Sequence, residues 1–123
     1  MSDRVERLAN RFHDAQIEDD LLTASAILNE TARSLNSDHI LTLRMKAWLA
    51  YRQDDLVAAR KACNQILLNL PHDDQVQQYL VLIDIADKKY DPAVQRLRKL
   101  QLKNPQDKFN ETLSEMLSAS FPR

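Results

Sequence analysis

Arg44, Trp48 and Arg52 stand at i, i+4 and i+8, and Tyr51 follows Trp48 by three. On a helix these spacings gather all four side chains on one face. Their chemistry is recognition rather than bond breaking. A planar guanidinium pairs with a carboxylate through two parallel hydrogen bonds, or stacks on an aromatic ring. Trp, Tyr and Arg are also the side chains that dominate binding hot spots. A second reading of the same face stays open: the single Trp of the chain as core between helices, with the arginines as a solvated rim.

Residues suited to catalysis are not grouped. His13, His39 and His72 are scattered, and none has a Cys or carboxylate partner at metal-ligand spacing. Cys63, the only cysteine, falls on the packed face of its helix and reads as a small buried hydrophobe rather than a nucleophile. The Asp pairs 19–20, 54–55 and 73–74 all fall at turns, where helix capping explains them. Glycine is absent, which argues against a Gly-rich phosphate loop. The expectation is a non-enzyme with no metal and no cofactor.

A second candidate surface is basic. Arg96, Lys99 and Lys103 are spaced three and four apart, within a stretch, 86–108, of net charge +4. It reads equally as an ordinary charged helix face. Nucleic-acid binding would call for interleaved aromatics, and only Tyr90 is near. Contact with an acidic protein is the more economical functional reading. Residues 1–39 carry a net −4, so the two ends of the chain should differ in potential.

The elements that must position these residues follow from a period. Pro71 and Pro105 lie 34 residues apart. Ahead of each runs a helical segment, 54–71 and 88–105, and a third of the same pattern starts at Asp19. In each, Leu21, Leu56 or Tyr90 is followed three residues later by Ala24, Ala59 or Ala93, and four beyond that by Leu28, Cys63 or Leu97. These spacings define one apolar helical face, with an alanine that lets two helices approach closely. Asp91-Pro92 reads as an N-cap followed by proline in the first turn. The prolines end the helices before them. Partner helices are expected over roughly 3–17, 39–53 and 74–87. A last one, 107–120, places Phe109, Leu113, Met116 and Leu117 in an amphipathic stripe, with Pro122 limiting its extension.

These repeats resemble the tetratricopeptide repeat (TPR) family over nearly the whole chain, most clearly in 51–74 and 86–107. The resemblance implies an all-α, right-handed α-solenoid of three helix–turn–helix hairpins plus one C-terminal helix. The repeats would span 5–38, 39–73 and 74–107 of a single domain, with the capping helix at 107–120. It also implies a concave surface lined by the first helix of each hairpin. That surface would hold Ala9, His13 and Gln16, then Leu41, Arg44, Trp48, Tyr51 and Arg52, then Gln75, Gln78, Leu82 and Ile85. Leu82 and Ile85 could equally be core. The first repeat ends at Asn36 where the others have proline. The family's small first-helix place holds Phe12, Ala47 and Val81, and the neighbouring apolar place holds Arg11, Lys46 and Leu80. Its glycine-like turn place holds Asp19, Asp54 and Lys88. The family device that grips chaperone tails needs Lys and Asn where Ala9 and His13 stand, so that ligand is not expected.

The expected function is therefore a protein–protein interaction module that binds a peptide or helix of a partner in the concave groove, as an adaptor, assembly factor or secretion-type chaperone. One alternative is self-association through the ends, with Val5 and Leu8 at one and Phe109, Leu113 and Phe121 at the other, giving a homo-oligomer. Nucleic-acid binding through 88–108 is the third. With 123 residues, 44% of them hydrophobic, the chain has material for one modest core. No apolar run approaches the roughly 20 residues needed to span a bilayer. The charged first sixteen residues do not read as a secretory signal, and the lone cysteine suits a reducing compartment, so a cytoplasmic address is expected.

Overall fold

Seven helices separated by short turns make up the computed structural model, which describes residues 2–120. They are α1 (Ser2–Ile17), α2 (Leu21–Leu35), α3 (Ile40–Arg52), α4 (Leu56–Asn69), α5 (Asp74–Ala86), α6 (Tyr90–Lys103) and α7 (Lys108–Ser120). There is no strand among the described residues. No helix among them is long and apolar enough to cross a membrane. Phe121 and Pro122 lie outside the described residues.

The turns inside the hairpins share one backbone design. Asp19, Asp54 and Lys88 adopt φ of 54°, 62° and 60°, the left-handed region that glycine normally fills. The following N–H reaches back over the helix end. Asp20 N donates to Ala15 O at 2.9 Å, Asp55 N to Ala50 O at 2.8 Å, and Lys89 N to Asp84 O at 2.8 Å. Each left-handed residue also donates three residues back, to Gln16, Tyr51 or Ile85 O. This is the Schellman pattern, which satisfies carbonyls that a helix end would leave orphaned. The next residue then caps the second helix. Asp20 accepts from Thr23 N at 3.1 Å and Thr23 Oγ1 at 2.6 Å, and Asp55 accepts from Ala58 N at 3.1 Å. The Thr23 hydroxyl, then its backbone N–H, hold the Asp20 carboxyl below its ordinary range.

The third hairpin corrects one expectation. Lys89, not Asp91, is the residue before α6, and it makes no side-chain cap. The reason is the turn: once Lys88 is left-handed and Lys89 N closes on Asp84 O, the helix must begin at Tyr90. Asp91 then lies inside the first turn, where an acid still favours the positive end of the helix. Pro92 also sits in that turn, where its missing N–H has no intrahelical partner to lose.

The first connection between hairpins differs for a related reason. Asn36 has φ 102°, which proline cannot adopt, and its side chain accepts from Asp38 N at 2.9 Å. The fully buried Thr42 hydroxyl donates to Asn36 O at 2.8 Å and ties this turn to α3.

The chain forms two compact units, Met1–Ile66 and Leu67–Arg123, divided within α4. In the first, α2 packs on α1 and α3 around Leu8, Phe12, Ala15, Ala24, Ile27, Met45 and Leu49. In the second, α7 packs on both members of the α5–α6 hairpin around Val81, Ile85, Ala93, Leu97, Leu100, Leu113 and Leu117. Ala24, Ala59 and Ala93 have no exposed surface, as their close-approach positions require. Leu8 and Leu113 are spent on these cores, and Phe109 is the apolar side chain that stays about 40% exposed at the start of α7. That removes two of the side chains from the self-association reading.

Candidate functional site

In the first unit, α1 and α3 carry the candidate surface. Phe12 is buried, and it meets Trp48 edge to face with ring centroids 5.5 Å apart and planes at 80°. Trp48 is thus half-buried and braced by the core rather than standing free. Such a pair contributes about 0.5–1.5 kcal/mol beyond its area burial. Around it, Arg44 and Tyr51 are half-buried and His13 is exposed. Leu41 is partly buried against the same cluster.

Arg52 is engaged inside the unit. Its Nε and Nη2 both donate to Asp19 Oδ1, at 3.1 and 2.8 Å, and Nη2 also donates to Oδ2 at 2.8 Å. The bridge fastens the end of α3 to the α1–α2 turn. The hydrogen bonds that Asp19 accepts, then its charge, push the guanidinium pKa up from its ordinary value. Arg52, expected on the groove for charge complementarity, thus has its Nε and Nη2 engaged by Asp19 while its side chain stays 42% exposed. The charged Arg11 and Lys46 reach outward along their stems. Arg11 Nη1 meets Glu30 Oε2 at 2.9 Å, and Lys46 Nζ donates to Ser37 O at 3.2 Å.

In the second unit Gln78 is withdrawn from the expected surface, and Ile85 takes the core alternative of its two expected readings. Gln78 is only 8% exposed, and its Nε2 donates to the buried Asn110 Oδ1 at 3.0 Å. It serves the α5–α7 contact, not a ligand. Ile85 is buried in the core, while Leu82 packs against that core and is partly accessible. Both Gln78 and Ile85 are withdrawn because α7 covers the face of α5 that spacing alone would leave open.

Sequence spacing left the depth of the basic face unread. Arg96, Lys99 and Lys103 line one side of a cleft of about 370 Å³. The turn residues Pro71 and His72, with Asp74 and Gln77 of α5, line the other. Arg96 points inward: Nη1 donates to Gln77 Oε1 at 2.7 Å, and Nε lies 3.6 Å from the carboxylate of Asp84, which is 1% exposed. Lys103 Nζ lies 2.9 Å from Asp74 Oδ1. Lys99 is exposed and makes no ion pair among the described residues. A buried Asp whose nearest cation lies several residues along the next helix is the signal that could have found this arrangement.

His39 is the N-cap of α3, with Nδ1 accepting from Leu41 N at 3.1 Å, which is a structural duty. Cys63 is buried. No group of three or more His, Cys, Asp or Glu among the described residues is placed to hold a metal ion. Comparisons of the chain with protein-family models, with curated proteins and with solved structures gave no match.

Proposed function

We propose that this chain is a TPR-like, right-handed α-solenoid and a non-catalytic module that binds a peptide or helical segment of another protein, in the manner of an adaptor, assembly factor or secretion-type chaperone. The observation that carries the reading is the threefold turn: left-handed residues at 19, 54 and 88, each followed by the same closing hydrogen bond. Stacked hairpins of such a period present first-helix side chains along one surface, and chains built this way act by holding partners. In the first unit the contact would rest on Arg44, Tyr51 and His13, with Trp48 as a braced aromatic floor. A rigid aromatic beside an arginine loses little entropy on binding, which suits a hot spot.

Replacing Trp48 or Arg52 would disturb the fold through Phe12 or Asp19, so a photocrosslinker is the cleaner probe. p-Benzoylphenylalanine is placed at position 51, at position 13, and at the exposed Arg33 of α2 as control. In the native host, positions 51 and 13 should give one common protein adduct and position 33 none. Absence of adducts at 51 and 13, or equal yield at 33, overturns the reading.

A further inference from the structure

A cleft lies beside the second helix of each hairpin, and in the third that helix itself contributes three cations. The alanines fully buried at 24, 59 and 93 set the equivalence. Arg96, Lys99 and Lys103 of α6 then correspond to Ala62, Gln65 and Asn69 of α4, and to Ile27, Glu30 and Ser34 of α2. The clefts follow this register. One in the first unit sets Lys46 and Lys61 against Asp38 and Asp55, and another sets Arg4, Arg7 and Arg11 of α1 against Glu30 and Ser34 of α2.

The geometry points to the cleft between the 70–73 turn and α6 as a binding site for carboxylate side chains of an acidic segment in a partner protein. Its volume of about 370 Å³ falls in the range of ligand-sized clefts. Two of its lining residues are Pro71 and Pro92, whose fixed φ holds the rim in shape before a ligand arrives. Lys99 stands at the cleft with no ion pair, and Arg96 spends one hydrogen bond on Gln77 from a fork of five donors. Asp84 and Asp74 offset Arg96 and Lys103, which leaves Lys99 as the uncompensated charge of the wall. A site of this kind takes one or two carboxylates, not a long polyanion. No Phe, Tyr or Trp lines it, so it offers no platform on which bases could stack.

This inference rests on the reading of the chain as a protein-binding module but uses a separate surface. The probe is fluorescein-labelled hexaglutamate, with binding followed by anisotropy at 20 mM salt and amide shifts followed by NMR. Saturable binding is expected, with shifts centred on 71–77 and 95–103. Lys99→Glu should weaken it about tenfold, since reversal removes one attraction and adds one repulsion. Arg98→Glu, an exposed change on the same helix outside the cleft, should weaken it less than twofold. Equal weakening by both variants, or no saturable binding, overturns the site. Tighter binding of a dodecathymidine strand, or full competition by 10 mM inorganic phosphate, also overturns it, in favour of a nucleic-acid face or a lone-anion site. Hexaglutamate binding without adducts at 51 and 13 would remove the first surface only, and adducts without hexaglutamate binding would remove only the cleft.

Discussion

Lys88→Gly should stabilise the protein. Lys88 is exposed, sits at φ 60°, and has a long side chain that gains nothing from the left-handed region. Holding a non-glycine L-residue there costs roughly 1–2 kcal/mol. Glycine removes that cost but enlarges the freedom of the unfolded chain, which returns about 0.4–1 kcal/mol. The net gain is about 0.5–1 kcal/mol. With a urea slope of about 2 kcal/mol/M, this moves the unfolding midpoint up by roughly 0.3–0.5 M, measured by far-UV circular dichroism. Lys88→Ala is the control: it deletes the side chain and keeps the steric penalty, so its midpoint should match wild type. Asp54→Gly should gain less, because Asp tolerates this backbone better than Lys. Asp19→Gly should gain least or lose, because it also removes the two-pronged bridge to Arg52. A stabilisation by Lys88→Ala equal to that of Lys88→Gly would refute the backbone argument. So would an Asp19→Gly variant more stable than Lys88→Gly.

Two further outcomes test the packing that shapes the candidate surfaces. A double-mutant cycle with Phe12→Leu and Trp48→Leu should give a coupling of about 0.5–1.5 kcal/mol from the edge-to-face pair, and additive losses would show that Trp48 is not braced by Phe12. Gln78→Leu should cost about 1–3 kcal/mol by leaving the buried Asn110 Oδ1 without its donor, and adding Asn110→Leu should recover most of that in urea titrations; a second loss of similar size would show that the pair is not a unit.

What could be read along the chain was what local chemistry determines. A left-handed residue, a capping carboxylate and a proline each act over a few positions. The boundaries of α1–α7 therefore fall within a residue or two of those expected from breakers and caps. Even there, the third hairpin shows that a shared turn geometry outranks a single attractive motif: Asp91-Pro92 looked like a start signal, yet Lys88 and Lys89 set the start. What could not be read was the direction in which first-helix side chains face, because their partners are distant in sequence. Asp19 claims Arg52 across 33 positions, and Asn110 claims Gln78 across 32. Phe12 is buried and draws Trp48 edge-on against it.

The same reasoning separates the candidate residues into two kinds. Phe12, Trp48, Arg52 and Gln78 are each answered by a partner inside their own unit, so folding accounts for them. Lys99 is answered by no ion pair among the described residues. A charge that the repeat does not call for, placed at a formed cleft and left uncompensated, has no folding role to account for it. A carboxylate entering the cleft would give Lys99 the ion pair it lacks, which is the physical reason to look for the partner at α6.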